Sequence, residues 1–263
     1  MKKTLMFDLD DTLLWDEKSI KEAFKATCRL AEEKYAVDPA ALENHVRKEA
    51  RDLYASYETY EFTKMIGINP FEGLWGTFPD EGEDFAKLKE IAPAYQQEAW
   101  LRGLKESGID DEEFGRELAS AFPEQRKKHA YVYDDTFTVL DKLQGKYNLL
   151  LLTNGSPDLQ QIKLDITPEL VPYFDEILVS GAFGKGKPAA EIFEHALDLL
   201  KADREEVLMV GDNLMTDILG ANRTGIDSVW VNRKGKTAEE VVPTYEISKL
   251  EELLPLLEKI NQG

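Results

Sequence analysis

The chain of 263 residues contains only one cysteine and three histidines. Cys28 has no partner for an internal disulfide bond, which fits a reducing compartment, and so few soft ligands give a zinc site little to draw on. No apolar run approaches the roughly 18 residues of a membrane span, and the apolar stretch near the start ends at Asp8, too early for a signal peptide. We therefore expect a cytoplasmic protein that does not use a membrane as a partner.

Basic residues are also scarce. The sequence has 32 lysines and arginines against 51 aspartates and glutamates, a formal charge of -19. A surface of this charge repels phosphate backbones, so we exclude a nucleic-acid polymer as a partner. A small phosphorylated metabolite is still possible, because salt screens distant charges beyond about 10 Å and a few cations in a crevice act locally.

The chain is organised around its first apolar run and the turn that follows. Residues 4–7 have the length of a buried strand, and Asp8-Leu9-Asp10-Asp11-Thr12 comes directly after it. In extended backbone Asp8 and Asp10 project to the same side, where two carboxylates stay ionised only beside a cation or strong donors. Alone, this pattern is also found at a capped strand end, since Asp and Thr are common turn and N-cap residues.

Polar residues follow other apolar runs in the same way. Thr153 and Asn154 follow residues 149–152, and Gly211, Asp212 and Asp217 follow residues 207–210. Lys187 and Pro188 precede a helical stretch. In an open parallel sheet the carboxyl ends of neighbouring strands form one crevice, where ligands bind. The sequence therefore predicts that these residues share one site.

The order of periodic segments predicts an α/β protein with an insertion. From Ser19 the pattern is helical for about a hundred residues, whereas from Tyr131 strands alternate with helices. We expect a doubly wound parallel sheet with an inserted all-helical cap. The predicted catalytic core is 1–15 and 131–263, and the predicted cap is 16–130.

Aromatic residues mark two further places. The loop at 67–82 contains Phe71, Trp75 and Phe78, which either cover a bound organic group or pack within the cap. Trp15 and Lys18 lie where the chain leaves for the cap, a position suited to a hinge or gate.

Four motifs in this order resemble those of the haloacid dehalogenase-like (HAD) hydrolase superfamily, in its phosphatase branch with a helical cap after the first motif. They are Asp8-Leu9-Asp10-Asp11-Thr12, Thr153-Asn154, Lys187-Pro188 and Gly211-Asp212 with Asp217. The resemblance implies a Rossmann-like core.

Hydrolysis of a phosphate ester needs a nucleophile, a proton donor and positive charge around the phosphoryl group. Asp8 can attack phosphorus and form an aspartyl-phosphate, and Asp10 can protonate the leaving oxygen and later accept a proton from water. The resemblance implies the same two roles. Lys187 supplies a fixed cation, with Thr153 and the N–H of Asn154 as neutral donors. Lys185 is a rival, but the lysine of the family precedes a proline.

The metal expected here is Mg²⁺. Asp8 and Asp212 offer carboxylate oxygens, and the resemblance adds the backbone carbonyl of Asp10; such hard ligands suit Mg²⁺ better than Zn²⁺. Asp217 either binds the metal or orients its water. N-capping of a helix is the structural alternative for Asp212 and Asp217.

The function expected from these residues is a Mg²⁺-dependent phosphatase that hydrolyses a small phosphorylated metabolite through an aspartyl-phosphate intermediate. A phosphomutase uses the same Asp pair. A protein that kept the fold as a binding module is a further alternative, although no motif residue is missing. The namesake dehalogenase activity is disfavoured, because it uses no metal and its members lack the carboxylate found here as Asp10.

Overall fold

The computed structural model describes residues 1–262, and the contacts between residues divide the chain into two compact units. The core unit contains Met1–Trp15, Val132–Gly155 and the chain from Thr167 onward. The helical unit contains Asp16–Tyr131 and Ser156–Ile166. Among the described residues, no helix has both the length and the apolar character needed to cross a membrane.

The core unit is built on a six-stranded sheet in which every pairing is parallel, with the order β3-β2-β1-β4-β5-β6. The strands are β1 Thr4–Phe7, β2 Asn148–Thr153, β3 Glu176–Val179, β4 Val207–Gly211, β5 Asp227–Val231 and β6 Tyr245–Ile247. β1 lies between β2 and β4, with Met6 opposite Leu150 on one side and Met209 on the other. The predicted doubly wound parallel sheet is confirmed.

Helices cover the sheet, which explains why its central strands are apolar on both faces. The helices of the core unit are α7 Thr136–Leu143, α9 Ser180–Phe183, α10 Ala190–Leu200, α11 Leu219–Thr224 and α12 Leu253–Gln262. On one face, Phe193 and Ala196 of α10 pack with Met6, Leu150 and Met209 in a single hydrophobic cluster. This burial fixes the register of β1, and with it the place where Asp8 leaves the sheet.

The helical unit has a hydrophobic core of its own. Its helices are α1 Asp16–Tyr35, α2 Pro39–Ser56, α3 Tyr60–Ile66, α4 Pro70–Gly73, α5 Glu83–Glu106, α6 Glu112–Lys128 and α8 Pro157–Asp165. Trp75 and Phe78 are buried in this core, and Phe71 packs edge-on against Phe24 with ring centroids 5.9 Å apart. Of the two interpretations of the aromatic loop, the structure favours packing.

The segment 156–166 departs from the predicted division, which assigned 131–263 to the core in one piece. Lys163 of α8 forms an ion pair of 2.9 Å with Glu72, and both side chains are almost fully buried. The Ser156 hydroxyl donates to Asp80 at 2.6 Å, and the backbone N–H of Asp158 donates to the same carboxylate at 2.8 Å. These contacts join sequence-distant residues, so periodicity alone could not assign α8 to the helical unit.

The two chain segments that lead to and from the helical unit run side by side within the core unit. Leu14 forms an antiparallel bridge with Val132, and the N–H of Tyr133 donates to the carbonyl of Leu13 at 3.1 Å. The Trp15 ring stacks on the Tyr133 ring with centroids 5.1 Å apart. A hinge or gate role for Trp15 stays a prediction, as does that of Lys18, whose ammonium group lies over the Tyr131 ring within the helical unit.

Candidate active site

Three carboxylates meet at the carboxyl ends of β1 and β4. Ligand oxygens of Asp8, Asp212 and Asp217 all lie within 4.8 Å of one another. Asp8 directly follows β1, and its N–H donates to the carbonyl of Val210 at 3.0 Å, which continues the pairing with β4. Parallel pairing of adjacent strands therefore brings together aspartates that lie two hundred residues apart in sequence.

Lys187 is the cation of this cluster. Its ammonium nitrogen lies 2.7 Å from each of three acceptors, namely a carboxylate oxygen of Asp8, a carboxylate oxygen of Asp217 and the carbonyl of Leu152. The Lys187 side chain is only 1% exposed. The rival Lys185 is exposed and pairs instead with Glu191.

Thr12 connects the nucleophile candidate to the metal-ligand candidate. The buried hydroxyl donates to the second carboxylate oxygen of Asp8 at 3.0 Å and accepts from the backbone N–H of Asp212 at 3.0 Å. Thr12 belongs to the first motif, but the sequence alone predicted no role for it. A threonine four residues after the first aspartate was the only available signal.

Asn154 has a contact that sequence reasoning missed. Its side-chain amide donates to the carbonyl of Lys187 at 2.9 Å, and its side-chain oxygen accepts from the N–H of Lys187 at 2.8 Å. A Cβ on Gly186 would lie 2.8 Å from that oxygen, so the glycine permits the close approach. Thr153 is buried beside it at the end of β2, and the phosphate-binding roles of Thr153 and the Asn154 N–H stay predictions.

Asp10 lies in a tight turn and outside the cluster of three carboxylates. The N–H groups of Leu13 and Leu14 both donate to the carbonyl of Leu9, at 3.0 and 2.9 Å, and Asp11 has a left-handed φ of 60°. This turn reverses the chain directly after Asp8. The predicted roles of Asp10 in proton transfer, and of its carbonyl in binding metal, stay predictions.

Burial and neighbouring charges shift the pKa values of the residues in the cluster. Burial raises the pKa of Asp8 to about 6, against the lowering effect of Lys187. Burial and the nearby carboxylates of Asp8, Asp217 and Asp11 raise the pKa of Asp212 to about 8. Burial alone would lower the pKa of Lys187, but Asp217 and Asp8 hold it above its usual range. One lysine therefore does not neutralise the three carboxylates, and the cluster favours a further cation.

The donor set fits a hard divalent cation. All three side chains offer oxygen, and Asp212 accepts no hydrogen bond on its carboxylate from the described residues, which leaves it available to a metal. A Cβ on Gly211 would lie 2.3 Å from a carboxylate oxygen of Asp217, so only glycine lets Asp217 approach the end of β4. The indole N–H of Trp230 donates to the carbonyl of Asp212 at 2.8 Å, a contact that the sequence did not suggest.

Neither Asp212 nor Asp217 is the N-cap residue of the turn that follows β4, although Asp217 lies in its first turn. Asn213 is the cap of the π-helical turn Leu214–Ile218, and its side chain accepts from the N–H of Met215 at 2.9 Å. Asp217 lies inside that turn, where its other carboxylate oxygen accepts from the N–H of Asn213 at 3.1 Å. Asp212 therefore has no capping role, whereas Asp217 also closes the start of this turn through the N–H of the cap residue Asn213.

A parallel sheet with three aspartates and a lysine clustered at the carboxyl ends of its strands places the chain among α/β proteins whose functional site lies at that edge of the sheet. A family model described as haloacid dehalogenase-like hydrolase matches residues 2–225. The chain belongs to this family, and the resemblance drawn from the four motifs is confirmed.

Relatives of known name support the assignment along the whole chain. A phosphoserine phosphatase of Thermus thermophilus is 32% identical, covering 95% of this chain and 97% of that protein. An N-acylneuraminate-9-phosphatase of Mus musculus is 27% identical, covering 98% of this chain and 95% of that protein. The HAD-hydrolase YfnB of Bacillus subtilis, solved bound to magnesium, is similar in structure with a TM-score of 0.65, at 28% identity and with 97% and 98% of the two chains covered.

Proposed function

We propose that this hydrolase is a Mg²⁺-dependent phosphatase that acts on a small phosphorylated metabolite through an aspartyl-phosphate intermediate. The observation that carries the proposal is the setting of Asp8. One of its carboxylate oxygens faces Lys187 at 2.7 Å, the other accepts from Thr12 at 3.0 Å, and two further aspartates adjoin it. A carboxylate held in one orientation beside a cation is suited to attack on phosphorus.

The proposed reaction has two steps. In the first, an oxygen of Asp8 forms a bond to phosphorus, the bond from phosphorus to the ester oxygen breaks, and Asp10 gives its proton to the departing oxygen. In the second, Asp10 takes a proton from water as the water oxygen attacks phosphorus, which releases inorganic phosphate and restores Asp8. Bound Mg²⁺ would supply positive charge for the phosphoryl oxygens from a position held by Asp8, Asp212, Asp217 and the carbonyl of Asp10.

In this scheme Lys187 contacts the carboxylate cluster and also the phosphoryl group of the substrate. Its ammonium group already donates to Asp8 and to the carbonyl of Leu152, and it lies 2.7 Å from a carboxylate oxygen of Asp217. The ammonium group must therefore exchange one of these acceptors for a phosphoryl oxygen when substrate binds. Thr153 and the N–H of Asn154 are proposed as the neutral donors to the same group.

The relatives support a phosphatase, since two that cover the whole chain are named for hydrolysis of a phosphorylated metabolite. Structural similarity to a HAD-hydrolase solved with magnesium supports the choice of metal. We further propose that the enzyme works in the cytoplasm, on free metabolites and not on nucleic-acid polymers, as its formal charge of -19 favours.

Release of inorganic phosphate from p-nitrophenyl phosphate tests the function directly. The purified chain should release phosphate with Mg²⁺ and lose the activity in excess EDTA, and added Mg²⁺ should restore it. Absence of phosphate release with Mg²⁺ present would contradict a phosphatase, whereas equal release with and without EDTA would contradict the metal dependence alone.

A further inference from the structure

Arg233 connects separate segments of the core unit. It lies two residues after β5, and its two terminal nitrogens donate to the two carboxylate oxygens of Asp135, at 2.9 and 3.1 Å. The first of these nitrogens also donates to the carbonyl of Thr12 at 3.3 Å. The guanidinium group lies over the Tyr133 ring, 3.8 Å from its centroid. A paired contact with a carboxylate fixes the plane of the guanidinium group, so the donor to Thr12 has a fixed direction.

Asp135 is held by a second contact. Its side chain is buried, and one of its carboxylate oxygens also accepts from the N–H of Leu250 at 2.8 Å. Asp135 directly precedes α7, the usual place of a helix cap, yet its side chain makes no capping hydrogen bond to that helix. Helix capping therefore does not explain this aspartate, whereas its contact with Arg233 does.

The start of α7 also holds the next peptide of the active-site turn. The carbonyl of Leu13 accepts from the Thr136 hydroxyl at 3.0 Å and from the N–H of Tyr133 at 3.1 Å. Thr136 is fully buried. The carbonyls of Thr12 and Leu13 are thus both bound by residues outside the turn. The end of the turn is therefore fixed from outside as well as by its own hydrogen bonds.

Thr12 forms hydrogen bonds through its backbone and through its side chain. Its carbonyl accepts from Arg233, and its buried hydroxyl lies 3.0 Å from both a carboxylate oxygen of Asp8 and the backbone nitrogen of Asp212. Both oxygens belong to one residue, so a contact that fixes the carbonyl restricts the directions in which the hydroxyl can point. A shift of the Thr12 backbone would change how Asp8 and Asp212 lie relative to each other.

We propose that Arg233 and Asp135 are positioning residues for the candidate metal site. Their ion pair holds the Thr12 backbone, and the Thr12 hydroxyl then holds Asp8 and Asp212 where both carboxylates can bind one Mg²⁺. The effect on turnover rests on the proposed phosphatase function, whereas the effect on metal affinity rests on the carboxylate cluster alone. Removing a group that orients a metal ligand typically lowers metal affinity or activity by about ten- to a hundredfold.

Arg233→Met tests the inference, and Lys2→Met is its matched control. Each variant removes the cation of an ion pair in the core unit. Lys2 lies two residues ahead of β1, at the opposite end of that strand from Asp8, and pairs with Asp227 at 2.8 Å. Its side chain is 5% exposed against 16% for Arg233, so the control loses a cation that is at least as buried.

Calorimetric titration measures the Kd of Mg²⁺, and steady-state hydrolysis of p-nitrophenyl phosphate measures kcat. Arg233→Met should raise the Kd and lower kcat by about tenfold each. Lys2→Met should lower the melting temperature and keep both parental values. A folded Arg233→Met protein with the parental Kd, or a Lys2→Met protein that loses Mg²⁺ affinity as fully, would overturn the inference.

A double-mutant cycle with Thr12→Val separates positioning from a general loss of stability. Valine keeps the shape and the backbone carbonyl of threonine and lacks the hydroxyl. Because Arg233 is proposed to act through this hydroxyl, Arg233→Met should change the Kd of Mg²⁺ by less than about twofold in the Thr12→Val background. The same fold-change in both backgrounds would show that Arg233 does not act through Thr12, and would overturn the inference.

If Arg233→Met does not fold, Arg233→Lys is measured in its place. It keeps a positive charge beside the buried Asp135, but an ammonium group lacks the planar pair of donors of a guanidinium group. The outcome is separable from that of the proposed function. A chain that releases no phosphate would contradict the phosphatase, yet the Mg²⁺ titrations would still test Arg233. A phosphatase whose Mg²⁺ affinity does not depend on Arg233 would contradict the inference alone, and a parent that binds no Mg²⁺ would contradict the metal site and the inference together.

Discussion

Asn154 and Lys187 are joined by two hydrogen bonds that run in opposite directions between one side chain and one peptide backbone. The amide group of Asn154 thereby fixes the backbone from which the catalytic lysine candidate extends. In an active site whose groups must be held within a fraction of an ångström, a contact of this kind positions a residue without touching substrate.

We expect Asn154→Ala to lower kcat by about ten- to a hundredfold, because the Lys187 backbone, and with it the ammonium group, is no longer held in one position. The measurement is steady-state hydrolysis of p-nitrophenyl phosphate alongside a melting curve. Asn148→Ala is the control, since Asn148 is exposed at the other end of the same strand. An unchanged kcat in a folded Asn154→Ala protein would show that the two hydrogen bonds between Asn154 and the Lys187 backbone do not contribute to catalysis.

Asp8→Asn should abolish turnover and leave the fold intact. The amide is nearly isosteric with the carboxylate but cannot attack phosphorus. It also removes one of three clustered negative charges, so the metal-free variant should melt no lower than the parent. Phosphate release and thermal unfolding are measured on the same preparation. Substantial activity in the folded variant would exclude Asp8 as the nucleophile.

Asp10→Asn should slow the hydrolysis of esters with poor leaving groups more than that of esters with good leaving groups. A phenolate such as p-nitrophenolate needs little protonation, whereas an alkoxide needs a general acid. The ratio of kcat/KM for p-nitrophenyl phosphate to that for an alkyl phosphate should therefore rise well above the parental ratio. Equal losses on the two esters would contradict the acid role of Asp10.

Mg²⁺ should stabilise the folded chain through the carboxylate cluster. A ligand that binds only the native state raises the free energy of unfolding by about 2.7 kcal/mol at a hundredfold excess over Kd. The melting temperature of Asp212→Ala should respond far less to Mg²⁺. Lys187→Met should keep the response, because it removes a cation and leaves the three carboxylates. An Asp212→Ala protein stabilised as strongly as the parent would remove Asp212 from the metal site.

The size of this response should depend on pH. The pKa values of Asp8 and Asp212, about 6 and about 8, lie above the ordinary value near 4, so the folded state holds protons that the unfolded state has lost. The stability of the metal-free protein should therefore fall as pH rises from about 4 to 8, with only Asp212 contributing above pH 6. Mg²⁺ competes with these protons, so its stabilising effect should be larger at pH 8 than at pH 5.5.

Asp212→Asn provides the control for the pH effect. The amide does not titrate, so the metal-free variant should lose the decline in stability between pH 6 and 8 and keep only about half of the decline between pH 4 and 6, the half that Asp8 contributes. Chemical denaturation at a series of pH values measures the free energy of unfolding, and so both parts of the decline. A decline above pH 6 that persists unchanged in Asp212→Asn would show that another group is responsible.

Much of the fold could be predicted because its signals are local. The apolar runs that became β1, β2 and β4 are continuous, as expected of strands buried on both faces, and each ends in polar residues that mark the crevice. β6 was not predicted. It has three residues, Tyr245–Ile247, with Glu246 in the middle, too short for a periodic pattern.

The supporting contacts of the site could not be predicted from the sequence. Trp230 reaches the carbonyl of Asp212 from the neighbouring strand, and Asn154 reaches the backbone of Lys187 from another. Each depends on which strands are adjacent and on how far a side chain extends. The motifs identify the residues that carry charge, whereas the geometry of parallel neighbours determines what holds them.

The ion pair between Glu72 and Lys163 limits how the helical unit can be exchanged between family members. Glu72 belongs to the long insertion, but Lys163 lies in a helix that begins only three residues after Asn154. A chimaera that replaces residues 16–131 alone would bury one charge without its partner, at a cost of roughly 3–5 kcal/mol. Transplantation therefore has to carry two segments, with 156–166 moved together with the insertion.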